Sequence, residues 1–118
     1  MTQQTLQSEL LTRGTAGSYT SVSDPAGSSR LAAQAGTPTL FDFSDVTKLA
    51  SEGIVGFDPT RDTIQLSTSV AANFQIVQSD MQPNTAVNGT LIHFNSSQEI
   101  AIANVAPGSL TVTNFRFV

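Results

Sequence analysis

The side chains that could carry chemistry in this sequence are few. The chain has one histidine, His93, nine aspartates and glutamates, and no cysteine. A nucleophile-histidine-acid site needs the histidine beside its partners, but the alternation of residues 90–94 places His93 opposite Ile92 and Phe94, on the solvent face of a strand. A glycosidase needs two acids that face each other across a cleft, and no carboxylate pair here is marked out for that geometry. The sequence therefore predicts a protein that is not an enzyme.

The charge of the chain excludes nucleic acid as a partner. The formal net charge is −4 and only 12% of the residues are charged, against about 25% in an ordinary soluble domain. The cations are scattered, so we expect no surface that could release counterions from phosphate. They are Arg13, Arg30, Lys48, Arg61 and Arg116.

Missing residue types exclude further classes of site. Without cysteine the chain has no disulfide and no thiolate metal ligand, and a single histidine makes a zinc site a poor interpretation. No run of about 18 apolar residues occurs, so we predict no membrane span. Residues 1–13 lack the charged start and apolar block of a cleavable signal peptide, so any export signal is expected elsewhere.

The elements that would position these side chains are clearest in residues 89–118. Residues 90–94 and 99–103 alternate around a polar turn, which predicts a hairpin with one buried face. An aromatic strand is predicted at the end of the chain, and earlier alternation predicts three more strands. The positions concerned are Ile92 and Phe94 with Ile100 and Ile102 in the hairpin, Phe115 and Phe117 at the end, and strands over 39–43, 54–57 and 62–66.

Two stretches have the features of helices. A short helix is predicted over 46–51, before Gly53. A longer one is predicted over about 69–82, because its apolar residues recur at helical spacing and form a core-facing stripe. That stripe consists of Val70, Phe74, Val77 and Met81.

The composition divides the chain into a flexible or assembly arm over 1–37 and a β-rich domain over 38–118. Residues 14–37 are rich in Gly, Ser, Thr and Ala, so few side chains can offset the entropy of ordering them. One interpretation is a mobile linker. The other is an extended arm that adds as a strand to a neighbouring molecule, and its segment of β propensity contains Tyr19 and Val22.

Residues 54–118 resemble the C-terminal segment that follows the nonapeptide repeats in repeats-in-toxin (RTX) substrates of bacterial type I secretion. The order and spacing of the pieces are similar to those of that family over a little more than half of the chain. The pieces are I-V-G-F-D-P at 54–59, D-T-I-Q-L at 62–66, the helix with Phe74, G-T-L-I at 89–92, I-A-I-A-N-V at 100–105 and S-L-T-V-T-N-F-R-F-V at 109–118.

The resemblance implies a mainly β fold, with a β-roll or β-solenoid-like sheet, a terminal antiparallel hairpin cap and one packed helix at about 69–82. It also implies export by the type I secretion machinery, directed by an uncleaved C-terminal signal, and a protein that acts outside the cell. The tail that resembles such a signal consists of Asn114, Phe115, Arg116, Phe117 and Val118.

The sequence departs from that family in one respect that concerns metals. The calcium-binding G-G-x-G-x-D repeat is absent. Calcium takes about six to eight oxygen ligands, and the resemblance leaves Asp58 and Asp62 as the candidate calcium site. A capped turn is the alternative explanation for this pair, so no cofactor is certain.

Together these features predict a secreted bacterial surface or extracellular-matrix structural protein. We expect it to self-associate as a homo-oligomer, by strand addition through its N-terminal arm. Its low charge favours such packing, because few like charges are brought together. The alternative is a monomeric, calcium-stabilised secreted binding or adhesion module, and a third hypothesis is a small hydrolase with an unrecognised site.

Overall fold

The computed structural model describes residues 19–23, 27, 29–34 and 36–118. These residues form nine strands, one α-helix and two 3₁₀ helices. The strands are β1 (Thr20–Ser23), β2 (Ser29–Ala32), β3 (Thr39–Phe43), β4 (Ser51–Val55), β5 (Thr63–Leu66), β6 (Met81–Asn84), β7 (Gly89–Asn95), β8 (Gln98–Ile102) and β9 (Phe115–Phe117). The α-helix is α1 (Phe74–Ser79), and the 3₁₀ helices span Pro107–Ser109 and Val112–Asn114.

All nine strands belong to two sheets, which confirms the prediction of a mainly β fold. One sheet has the order β1-β3-β5-β9 and the other has the order β2-β4-β8-β7-β6. The first five strands alternate between the sheets, and β1, β2 and β3 each pair in parallel with the strand two further along the chain. Parallel neighbours need a crossover connection, and here each crossover contains a strand of the other sheet.

The register aligns the inward side chains of neighbouring strands into apolar rows. Successive side chains of a strand point to opposite faces, so the apolar residues at alternate strand positions enter one shared core. The core residues Phe41, Ile64, Ile100 and Ile102 are 0% exposed. The row of the first sheet contains Val22, Phe41, Ile64 and Phe115, and the row of the second contains Leu31, Ile54 and Ile102.

The predicted hairpin is confirmed as β7 and β8, which pair antiparallel. Ile92 is opposite Ile100, and both side chains are buried. Phe94 is only partly buried, because a register shift between His93 and Asn95 interrupts the ladder at that residue. β8 also pairs in parallel with β4, so the hairpin continues the second sheet.

The helix prediction over 69–82 is wrong in its length, because α1 has only six residues. The side chain of Asn73 accepts the Ile76 N–H at 3.1 Å and starts the helix there. Met81, which was predicted to continue the stripe, instead begins β6 and pairs with Ile92 of β7. Pairing with an existing strand satisfies the backbone of β6, and this outweighs local helical spacing.

The shorter helix predicted over 46–51 is wrong, because residues 46–48 form a turn and β4 begins at Ser51. Asp45 Oδ1 accepts the Thr47 N–H at 3.1 Å, a local bond that competes with helix formation. β4 therefore starts three residues before the predicted strand 54–57, and it ends at Val55 before Gly56, whose φ is +76°.

Both β1 and β2 fall within residues 1–37, the range predicted to be an arm. In the structure β1 pairs with β3 and β2 pairs with β4 of the same chain. Tyr19 is partly buried and Val22 packs against the core. Residues 1–18 of the predicted arm lie outside the described residues, and so does the part of it at 24–26, 28 and 35.

Among the residues that the structure describes, no helix is long and apolar enough to cross a bilayer.

Candidate functional site

Asp62 lies immediately before β5, in the turn over residues 58–62, which is called the Asp62 corner. Its side chain connects this turn to the neighbouring strand β3. The residue is 1% exposed. Its Oδ1 accepts the Thr39 N–H at 2.8 Å and its Oδ2 accepts the Asp58 N–H at 2.9 Å. Thr39 begins β3, the parallel neighbour of β5. One carboxylate thus ties the 58–62 turn to the adjacent strand.

Asp58 caps the same turn from its exposed side. Its Oδ1 accepts the Thr60 N–H at 2.9 Å and the Thr60 hydroxyl at 2.7 Å. Arg61 Nε lies 3.7 Å from Asp58 Oδ2 and 3.6 Å from Asp62 Oδ1. The geometry is that of the capped turn named above as the alternative to a calcium site.

Calcium at Asp58 and Asp62 stays a prediction. A cation between these carboxylates would have to take the place that Arg61 Nε now holds, and repulsion from the guanidinium would oppose its binding. Within the described part of the chain, no group of three or more His, Asp or Glu side chains is placed to hold a metal ion.

We expect Asp58→Asn to lower stability at neutral pH and to match the wild type in acid. The bonds from the Thr60 hydroxyl and then the Thr60 amide hold the pKa of Asp58 below its ordinary value of 3.8. A carboxyl whose pKa is lowered on folding stabilises the folded state above its unfolded pKa, and this contribution is lost as the pH falls through the folded pKa. Denaturant titrations from about pH 7 to about pH 2 measure the difference between variant and wild type.

The control for this prediction is Thr60→Val, which removes the hydroxyl that lowers the pKa most. Asp58→Asn in the Thr60→Val background should show a smaller pH-dependent difference than in the wild type. A difference between Asp58→Asn and the wild type that persists unchanged in acid would contradict the prediction.

The tail predicted to resemble a secretion signal is folded into the first sheet. Asn114 is 2% exposed, and its Nδ2 donates to the Pro59 and Asp62 carbonyls at 2.8 and 3.1 Å. Its Oδ1 accepts the Thr111 N–H at 3.0 Å. Asn114 thus stacks on the Asp62 corner and positions the start of β9.

The remainder of the tail is β9 and the residue after it. Phe115 is buried against Phe74 of α1, with ring centroids 5.5 Å apart. Val118 N donates to the Leu66 carbonyl at 3.0 Å, and the Val118 carbonyl accepts the Thr68 N–H at 2.9 Å. The backbone of the tail is therefore already occupied by β5 and the residues that follow it.

His93 lies on the outer face of the hairpin in a polar cluster. Its Nδ1 is 3.2 Å from Glu99 Oε1, and the Ser51 hydroxyl donates to Glu99 Oε2 at 3.1 Å. Catalysis by a Ser-His-acid site requires the histidine between the serine and the acid, whereas here the glutamate is in the middle. The imidazole is thus not placed to accept the Ser51 proton. Sequence reasoning missed the pair of His93 and Glu99, because the predicted hairpin did not fix the register that sets these two residues opposite each other.

β1 and β2 are the end strands of the two sheets and lie at the same end of the molecule. Their outer sides are called the open edge below. Thr20 N donates to the Pro38 carbonyl and Ala33 N to the Val55 carbonyl, both towards the interior of the sheets. Amides of successive strand residues turn to opposite sides, so those of Ser21 and Ala32 face the open edge. No described strand pairs with that edge.

The opposite end of the sheets, formed by β6 and β9, is obstructed. β6 contains Pro83, which has no N–H to donate and which lies opposite Thr90. His93 N donates to the Asp80 carbonyl, so alternation turns the Pro83 position outwards. β9 has only three residues. Proline and short strands hinder edge-to-edge pairing, so among the described strands β1 and β2 are the ones suited to strand addition.

Comparison of the chain with protein-family models, with curated proteins and with solved structures finds no match.

Proposed function

We propose that this protein is a secreted structural component of a bacterial surface or extracellular matrix, and that it self-associates by adding strands at the open edge. The observation that carries the proposal is the contrast between the two ends of the sheets. β1 and β2 have outward amides and no proline, whereas β6 contains Pro83 and β9 has three residues.

The proposal includes a β-roll architecture similar to that of RTX C-terminal segments. Its support is the alternation of β1 to β5 between two sheets and their parallel pairing, because a chain wound as a flattened coil has this order of strands. A coil of this kind leaves a free sheet edge at an end that nothing covers. The β6-β7-β8 hairpin unit and β9 would then cap the other end.

The composition of the open edge also supports self-association. Its outward-facing residues are Ser21, Ser23, Arg30 and Ala32, all of them exposed. One cation among small neutral side chains gives little repulsion when a second strand approaches, because like charges directly opposite are what destabilise a strand pair. Main-chain hydrogen bonds would supply the affinity, as in other cases of strand addition.

We expect the double variant Ser21→Pro/Ala32→Pro to be monomeric where the wild type is oligomeric. Both substitutions remove an N–H that faces the open edge, and proline is tolerated in edge strands at such positions. Sizing chromatography with light scattering over a range of concentrations measures the mass. The matched control is Ser21→Ala/Ala32→Ser, which keeps both amides and should associate like the wild type.

Two results of this experiment would count against the proposal. A wild type that stays monomeric at high concentration, with a melting temperature raised by calcium and lowered by chelator, would favour the monomeric calcium-stabilised module instead. If the proline variant associates like the wild type, the open edge has no role in association. Deletion of residues 1–37 is a weaker test, because it also removes β1 and β2 from their pairs with β3 and β4.

Export through the C-terminal tail is the second part of the proposal. Because the backbone of the tail is occupied in the folded chain, a transporter would have to bind it before β9 joins β5. We expect cells with a type I transporter to release the wild type and to retain a Phe115→Ser/Phe117→Ser variant. The control is Phe41→Ala, which disturbs the buried core outside the tail and should still be released. Release of the tail variant at the wild-type level would contradict this part.

A further inference from the structure

The groups that the open edge presents restrict which partner it can bind. A partner must offer a strand with unpaired amides and carbonyls, because those are the groups that the open edge presents. Among the described strands only β1 and β2 offer an unobstructed edge, since Pro83 interrupts β6 and β9 has three residues. Among the described strands, the complement of the open edge is therefore the open edge of a second copy.

We propose that two copies of this chain join through their open edges as a closed, two-fold symmetric dimer in which β1 of each copy pairs antiparallel with β2 of the other. This inference rests on the proposed function, since it presupposes strand addition at the open edge. A two-fold contact uses the same surface on both copies. It leaves no open edge on either copy, so association stops at two chains.

The register of the pair follows from the face that each side chain occupies. Opposed residues in an antiparallel pair point to the same face, and Val22 and Leu31 both point into the core. Placing Val22 opposite Leu31 of the second copy continues the apolar rows across the contact. Ser21 then lies opposite Ala32, and Ser23 lies opposite Arg30, all on the outer faces.

Charge favours this pairing over the other two-fold arrangement, in which each strand pairs with its own copy. Pairing β2 with β2 would place both Arg30 side chains on one face of one sheet, on adjacent strands. Pairing β1 with β2 sends the two Arg30 side chains to different sheets and sets each beside serine. Since nearby like charges destabilise a strand pair, the β1 to β2 arrangement is the one that the sequence of the edge supports.

The experiment uses the full chain, whose lack of cysteine makes introduced cysteines unique. The double variant Ser21→Cys/Ala32→Cys should form a disulfide-linked species of two chains under mild oxidation. Ser21→Cys alone and Ala32→Cys alone should remain unlinked, because neither residue meets its own copy. Light scattering of the wild type should reach a plateau at the mass of two chains as concentration rises. Gln82→Lys, which adds a charge on β6 at the opposite end, should leave that plateau unchanged.

Each other outcome overturns a defined part of the inference. A wild type that is monomeric at all concentrations contradicts both the dimer and the proposed self-association. A mass that grows beyond two chains, and that Gln82→Lys reduces, keeps self-association but replaces the closed dimer with head-to-tail stacking. A plateau at two chains with linkage of Ser21→Cys alone keeps the dimer but overturns the pairing of β1 with β2.

Discussion

Gly89→Ala should destabilise the protein by about 3 kcal/mol, a large effect for one methyl group. Gly89 is buried at the start of β7. A Cβ built on it would overlap the Ile102 carbonyl oxygen and would lie 2.9 Å from the Asn104 amide nitrogen. Both obstacles are backbone atoms, which cannot rotate away as a flexible side chain can, so β7 would have to move away from β8.

The matched control is Gly108→Ala. A Cβ on Gly108 would meet no heavy atom within 4 Å, and its φ is not in the left-handed region. Alanine there should change stability by less than about 0.5 kcal/mol. Urea denaturation of the two variants and the wild type measures the difference, and equal stabilities for both variants would show that β7 and β8 adjust to the added carbon without cost.

The Gly89 contact also shows where sequence reasoning reached the correct element for an incomplete reason. A glycine before an alternating segment predicts the start of a hairpin strand from turn chemistry. In the structure it is Asn88 that takes the left-handed conformation, with φ of +52°. The glycine is required because the Ile102 carbonyl approaches it. That approach joins residues far apart in sequence, and no local pattern reports it.

Strands in which apolar and polar residues alternate could be predicted from the sequence. Strands that form because a neighbouring strand pairs with them could not. Residues 39–43 and the β7-β8 hairpin carry large apolar side chains at every second position, so their faces follow from the sequence alone. β1 and β2 each have only one large apolar residue, Val22 and Leu31. They are ordered because β3 and β4 provide a parallel edge at matching register. Propensity is a weak guide where tertiary pairing decides.

The candidate site residues divide in the same way, into those predicted from a local pattern and those that depend on pairing between strands. The prediction of strand addition selected Tyr19 and Val22 from local β propensity. In the structure Val22 lies in the end strand β1, and Tyr19 directly precedes that strand. The pairing of His93 with Glu99 depends on the hairpin register, which the alternation of the two strands does not fix. The bond from Thr39 to Asp62 depends on the alignment of two parallel strands, and that alignment depends on the length of chain between them, which no motif in the sequence specifies.

Asp62→Ala should destabilise the protein by about 3 kcal/mol or more, because it leaves two backbone amides without acceptors. Those amides belong to Thr39, which is 0% exposed, and to Asp58. A buried donor left unsatisfied costs about 1–3 kcal/mol, and this applies in full to the Thr39 amide, whereas the Asp58 amide is partly buried and loses less. Relief from burying the carboxylate offsets part of that cost, but Arg61 Nε, 3.6 Å from Asp62 Oδ1, would lose its nearest buried anion.

Asp45→Ala is the matched control, because its loss of stability is that of an ordinary exposed capped turn. Asp45 also accepts a backbone N–H, that of Thr47 at 3.1 Å, but its side chain is 54% exposed. Water can replace the lost acceptor there, so a smaller loss of stability than for Asp62→Ala is expected. Asp62→Asn should fall between the two, because the amide keeps one oxygen acceptor but turns an NH₂ group towards the second N–H. Equal losses for Asp62→Ala and Asp45→Ala in denaturant titrations would mean that Asp62 does not hold β3 and β5 together.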